Sequence, residues 1–247
     1  MYDSAILCML IFIAAVLYSS VGHAGASGYL AAMALMGIAP EVMRPAALVM
    51  NIFVATIGTI RFYRAGYFSW SLFLQLATGS IPLALLGGYL TLPHRAYKQI
   101  VGVILLLTAI RLLASLWRAA AMEPAEKHAN PIVAVGCGAG IGLLAGLTGT
   151  GGGIFMTPLL LFMNWAQTKK AAAVSVAFIL VNSIAGLAGH WAKVQTMPAH
   201  VGYWVVAAVL GGLIGSELGS QRLGHPVLKF LLGIVLMIAA GKLLTVR

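Results

Sequence analysis

Acidic residues are nearly absent from this chain. Among 247 residues there are five, Asp3, Glu41, Glu123, Glu126 and Glu217, and all charged types together reach 8% against 61% hydrophobic. A soluble domain carries about 25% charge, so a water-facing surface of this size could not be covered. The alternating segments that mark a β-barrel are also missing. Long apolar runs recur from end to end instead, which predicts an all-α polytopic membrane protein. Cysteine is down to Cys8 and Cys137, both in apolar runs and without ligand spacing, which argues against a disulfide framework or a thiolate metal centre. No GK[ST] follows the glycine cluster "GTGGG", so no nucleotide loop is expected. No cofactor is implied.

Lysine and arginine number 15 and the net charge is +10. The basic residues fall on short loops and segment ends. They read as topology-setting charges and contacts with anionic lipid, not as a nucleic-acid footprint. The first segment lacks a basic leader region and is expected to be retained.

Apolar segments run at about 4–21, 28–38, 43–60, 71–92 and 97–117. The polar stretch "RAAAMEPAEKHAN" (118–130) follows, then segments at about 131–148, 153–164, 170–190, 200–219 and 226–245. Most approach the roughly 20 residues that span a bilayer, but the second of each five is too short. The chain therefore divides into a first repeat, 1–117, a linker, 118–130, and a second repeat, 131–247. "HAGASGYLAAMALMGIAPEVMRPAALVMN" in the first matches "TGTGGGIFMTPLLLFMNWAQTKKAAAVSV" in the second. Each has a glycine cluster, a short segment and a loop ending in a basic residue, Arg44 or Lys170. Two repeats with helices interrupted at matching positions are a signature of secondary transporters. If the short segments cross the membrane, each repeat has five spans and the halves are inverted, which is the arrangement expected; if they dip and return, each has four spans and the halves are parallel.

Glycine runs in mid-membrane weaken a helix and free backbone groups. Where a helix restarts, its first N–H groups lack intrahelical partners and its dipole end is positive. Two restarts facing each other would make an anion site. The candidate ligand-holding residues are His23, Gly25, Ser27 and Gly28 at the first break. At the second they are Thr148, Thr150, Gly151, Gly152 and Gly153. Asn51, Ser175 and Asn182 come from the third segments. Arg111, inside the fifth segment, is a candidate for attracting anions or for snorkelling to the interface. Gly138, Gly142 and Gly146, and again Gly211 and Gly215, form small-residue faces expected to be packing seams. Glu217 is expected to pair with Arg222, and Gln75 to bond across helices.

These features together resemble the TauE/SafE sulfite exporter family, also called the toluene sulfonate uptake permease family. The likeness is carried by "GLLAGLTGTGGGIFMTPLLL" (142–161), "KKAAAVSVAFILVNSIAGLAGH" (169–190) and "GGLIGSELGSQRL" (211–223). In the first half it is carried by Pro40, Arg44 and "IRFYRAGYFSW" (60–70). The resemblance implies a secondary transporter of small sulfur-containing anions in the cytoplasmic membrane, with movement and no covalent chemistry. The first cluster departs from the family's pattern, with His23 and Ser27 where glycines are usual. Membrane lipid is the other partner, and a homo-oligomer stays open. Two other readings compete. Ser27 in Gly25-Ala26-Ser27-Gly28 could be the nucleophile of an intramembrane serine protease with His23 or His190 as base. A transporter of an unrelated solute, such as a cation, would need intramembrane carboxylates, and only Glu217 is placed for that.

Overall fold

The computed structural model describes residues 4–20, 22–90, 92–117, 125–191 and 200–221, with helical residues 234, 236–238, 240, 241 and 243–245 near the C-terminus. The fold is all-helical over these residues. Its helices are α1 (Ser4–Ser19), α2 (Ala26–Leu35), α3 (Pro40–Arg64), α4 (Trp70–Tyr89) and α5 (His94–Trp117), then α6 (Pro131–Thr148), α7 (Gly153–Phe162), α8 (Thr168–His190) and α9 (Val201–Gln221). Among the described residues, five stretches are long and apolar enough to cross a membrane: α3, α4, α6, α8 and Val201–Leu218 of α9. α2 and α7 have 10 residues each, about 15 Å of helix, half of a bilayer core of about 30 Å.

The starts and stops follow local chemistry. Pro40 and Pro131 open α3 and α6 at the first helical turn, where a missing N–H costs nothing. The Asn130 side chain accepts from the backbone N–H of Ile132 at 3.0 Å, a standard cap. α2 and α7 each begin after a glycine in the left-handed region, Gly25 (φ 104) and Gly152 (φ 81). Left-handed backbone also occurs at Gly22 and Gly149, and at Gly37 and Asn164. All three pairs share one spacing, 127 residues (149 less 22, 152 less 25, 164 less 37).

Glycine sets the closest helix contacts. Gly138, Gly142 and Gly146 lie directly on the backbone oxygens of Leu76, Ser80 and Ala84. The order is the same on both helices, so α4 and α6 run parallel, with room for no side chain between them. Gly211 and Gly215 lie in the same way on Phe12 and Val16, so α1 and α9 are parallel. Gly212 meets Val54, and Arg61 meets Leu213 and Glu217, which makes α3 parallel to α9. Gly58 meets Val176 and Leu48 meets Gly186, so α3 and α8 cross antiparallel. With α1, α3 and α9 running up, α4, α6 and α8 run down. α4 packs on α6 and α8, α9 on α1 and α3, α2 on α3, and α7 on α8.

Two expectations change, and a third falls on a residue outside those described. Arg44 is not a loop-end charge. It lies inside α3, 4% exposed, and its guanidinium donates to the carbonyls of Gly87 (2.6 Å), Gly88 (2.7 Å) and Leu90 (3.0 Å). The fork of N–H groups suits the clustered carbonyls at a helix C-terminus, whose dipole end is negative. Lys170 is no counterpart: it is on α8, paired with Glu126 at 2.7 Å. That bond and the Gln167 N–H hold the Glu126 carboxyl below its usual range, so this tie of the linker to α8 loosens as pH falls through the carboxylate's folded value. Second, Glu217 pairs with Arg61 on α3 at 2.9 Å; Arg222 lies outside the described residues. Third, the Gln75 amide donates along its own helix to Ser71. Segment 226–245 and the linker fall largely outside the described residues.

Two predictions follow from these contacts. Arg44→Gln strands three buried carbonyls and should lower stability by roughly 3 kcal/mol, read as thermal unfolding in detergent. Arg44→Lys should fall between, since one ammonium cannot fork to three acceptors; equal stability of all three proteins would remove the cap from the account. Gly142→Ala collides with the Ser80 backbone and should cost about 1–3 kcal/mol. Gly140→Ala, which meets open space, should be neutral or stabilising by up to about 1 kcal/mol.

Candidate functional site

The two glycine breaks meet inside the bundle. α1 ends at Ser19, and the chain turns through Gly22, whose backbone abuts Ala172 of α8. The His23 N–H returns to the Tyr18 carbonyl at 2.9 Å. Gly25 then starts α2 beneath the buried Tyr29 ring, whose hydroxyl donates to the Ala24 carbonyl. On the other side α6 ends at Thr148, and the residues from Gly149 to Gly152 lead into α7. The Thr148 carbonyl accepts from the Tyr97 hydroxyl at 3.2 Å.

Between the breaks is a small cavity lined by Tyr18, His23, Ala24, Gly25, Ala26, Ser27, Asn51, Thr150, Ile154 and Ile179. Five of the sequence-predicted residues therefore share one wall: His23, Gly25, Ser27, Asn51 and Thr150. The cavity leaves about 10 Å³ for the centre of a water-sized sphere, the room of roughly one water. Asn51 is its most unusual member. It is fully buried, and among the described residues neither its Nδ2 nor its Oδ1 has a hydrogen-bond partner. A buried amide left in this way costs several kcal/mol in an apolar setting, and most such groups in proteins are paired.

The other predicted residues stand around this wall. Gly151 lets the chain pass Asn51, since a Cβ there would sit 2.8 Å from Asn51 Nδ2. The Gly153 carbonyl is 3.1 Å from His23 Nε2. Thr148 backs the site through Thr150, with hydroxyls 3.0 Å apart. Ser175 accepts from the Thr157 hydroxyl at 2.8 Å, and Thr157 Oγ1 is 3.2 Å from His23 Nε2.

Three predicted residues have other surroundings. Gly28 faces Ala14 and Tyr18 of α1, where a Cβ has no room. Gly152 is wedged among Ile141, Ala145 and Phe178, so it serves the turn and the packing. Asn182 donates to the Phe178 carbonyl one turn back, at 2.8 Å, and is not on the cavity wall. The Arg111 side chain lies outside the described residues. His23 Nε2 is directed at Gly153 and Thr157, not at Ser27.

Thr157, Tyr18 and Ser183 were missed by sequence reasoning. Thr157 had a signal: it follows Gly153 by four residues, one helical turn, and so shares its face. Ser183, buried and unpartnered at Oγ, would lie about 3.0 Å from a Cβ at Gly151; its serine in an alanine- and glycine-rich helix carried no such mark. Among the described residues, no group of three or more His, Cys, Asp or Glu could hold a metal ion.

Comparison with known proteins gives one family. The profile described as "Sulfite exporter TauE/SafE" matches residues 7–243. The chain is 38% identical to "Probable membrane transporter protein y4hK" of Sinorhizobium fredii, over 96% of this chain and 97% of that protein. It is 26% identical to "Probable membrane transporter protein YjnA" of Bacillus subtilis, over 97% of this chain and 99% of that protein. "Probable membrane transporter protein YunE" of the same organism is 22% identical, over 84% and 82% of the two chains. No solved structure matches.

The hydroxyl bridge between α7 and α8 gives a test of the geometry. Thr157→Val and Ser175→Ala should each destabilise, and together should cost less than their sum. A coupling of about 0.5–3 kcal/mol is expected for groups sharing one bond. Strict additivity in detergent unfolding would mean the two hydroxyls act separately.

Proposed function

Because the chain belongs to the sulfite exporter TauE/SafE family, and its curated relatives are probable membrane transporters, we propose that it carries small sulfur-containing oxyanions, sulfite or sulfonates, across the cytoplasmic membrane as a multi-pass secondary transporter. The observation that carries the substrate class is the unpartnered Asn51 amide, buried in the same cavity as the start of α2. The first N–H groups of α2 have no intrahelical acceptor and mark the positive end of its dipole. Asn51, Ser27 and Thr150 add neutral donors, and His23 an imidazole. Such a wall holds an oxyanion through hydrogen bonds while letting it leave.

The architecture proposed around the site is a pair of inverted repeats. Three features support it. The left-handed residues recur at one spacing of 127 (149 less 22, again 152 less 25). α1, α3 and α4 run up, up, down, while α6, α8 and α9 run down, down, up. The packing pattern also persists when the halves are exchanged: α4 on α6 becomes α9 on α1, and α4 on α8 becomes α9 on α3. In inverted-repeat transporters the substrate binds near the midplane between broken helices, and alternating access follows. A cavity of one-water size is a closed form of such a site, so the anion would need α2 and α7 to part.

The protease reading has less support. A serine nucleophile needs a base within hydrogen-bond reach, and His23 Nε2 is turned to Gly153 and Thr157 of the second half. A cation path is no better supported, since no carboxylate is among the described residues that line the cavity.

Proteoliposomes with radiolabelled sulfite and methanesulfonate provide the test. Saturable flux is expected for at least one, reduced about tenfold or more in Asn51→Leu, which fills the cavity and deletes the amide. No flux of either anion, with flux of another solute class, would sink the assignment.

A further inference from the structure

Gly151 lacks a side chain at a point where two stranded polar groups meet. Its backbone is left-handed (φ 71). A Cβ there would stand 2.8 Å from Asn51 Nδ2 of α3 and 3.0 Å from Ser183 Oγ of α8. Asn51 and Ser183 are both fully buried. Among the described residues, neither the Asn51 amide nor the Ser183 hydroxyl has a hydrogen-bond partner. Two groups from two helices thus converge over one stretch of bare backbone.

The Ser183 hydroxyl had a nearer choice. A helical serine or threonine can return its hydrogen to the carbonyl one turn back. Thr56, Thr108, Thr148 and Ser216 do so here, at 2.6 Å each. Asn182, next to Ser183, does so with its amide. Ser183 forgoes that bond, although most buried polar groups in proteins are paired.

One oxygen atom can answer both groups. Asn51 Nδ2 and Ser183 Oγ are at most 5.8 Å apart (2.8 plus 3.0, through the Cβ point). Hydrogen bonds of about 2.9 Å from each can therefore end on a single acceptor. Ile179 closes the spot on one side, its Cγ2 lying 2.8 Å from the same point. Ile179 and Asn51 also line the cavity between the breaks, so the spot adjoins that cavity. It belongs to the second break, while Ser27 and the start of α2 belong to the first.

We infer that Ser183 and Asn51 form an oxygen-binding recess over Gly151, in which one oxygen of the transported oxyanion accepts from both side chains. This rests on the transport reading given above. It makes Ser183 a substrate-binding residue. A second oxygen of the same anion faces the first N–H groups of α2. Gly151 has no side chain because a Cβ would fill the recess. The arrangement selects an anion with at least two oxygens on one small centre, as sulfite and sulfonates have. A single-atom anion such as chloride reaches one side only.

Flux of radiolabelled sulfite and methanesulfonate into proteoliposomes of the full chain tests this, beside thermal unfolding in detergent without either anion. Ser183→Ala should raise KM about tenfold for each transported anion, through loss of one bond to a charged group. Its melting temperature without anion should stay equal or rise, since the hydroxyl removed had no partner to lose. Ser216→Ala is the control: its hydroxyl is bonded to the Gly212 carbonyl, so stability should fall and KM should hold. In an Asn51→Ala background, Ser183→Ala should raise KM by clearly less than in the wild type, because both bonds end on one oxygen. An unchanged KM in Ser183→Ala means that the recess holds water only and overturns the inference. A raised KM with a lowered melting temperature overturns it as well, since the hydroxyl then serves the fold. Full multiplication of the two effects overturns the shared oxygen. Each of these results leaves the transport reading intact. Absence of both sulfite and methanesulfonate flux in the wild type overturns that reading, and the recess as a substrate site with it.

Discussion

In hydrocarbon, a backbone polar group has no water to turn to, and every break in a spanning helix must be answered from within the protein. That constraint organises this molecule. Left-handed glycines allow the chain to turn at Gly22, Gly25, Gly149 and Gly152, and side chains then take up the carbonyls that the turns release. Tyr29 covers the Ala24 carbonyl, Tyr97 covers Thr148 and His23 covers Gly153. Acceptors are thereby matched by donors from elsewhere. What is left over is of the other kind, N–H groups at the start of a short helix and the amide of Asn51, and these collect on one wall.

The near-absence of acids has the same root. A carboxylate buried in hydrocarbon needs a partner for its charge, and neutral Ser27, Asn51 and Thr150 line the cavity instead. Arg44 shows how a cation is kept without one. Its charge rests on the negative end of the α4 dipole and on three carbonyls, away from the cavity wall.

Much of the fold was legible in the sequence because bilayer thickness sets helix length and glycine spacing sets helix contact. The limits of α6 and the short lengths of α2 and α7 were readable from composition alone. The seams of Gly138, Gly142 and Gly146 and of Gly211 and Gly215 were readable from their period of four. The wall formed by His23, Ser27, Asn51 and Thr150 was foreseen from polar residues gathered at the breaks. Pairings across the bundle were not foreseen. Arg44 looked like a loop-end charge because its acceptors lie more than forty residues away, at the end of α4. Glu217 takes a partner from α3, Arg61, that no neighbour in sequence pointed to. Asn182 matched Asn51 by residue type, but the spacing of the left-handed positions puts it out of register. Each case concerns which distant backbone or side chain a polar group meets, and that depends on tertiary packing.

The glycine seams have a mechanical consequence. α4 belongs to the first half of the chain and α6 to the second, and likewise α1 and α9. Each pair lies backbone on backbone, with no side chain between to yield or change rotamer. The stiff pairs among the described residues are therefore composites of early and late helices. Compliance has to sit where side chains still separate the helices: along the crossing of α3 with α8, and in the short turns that join each composite to the next.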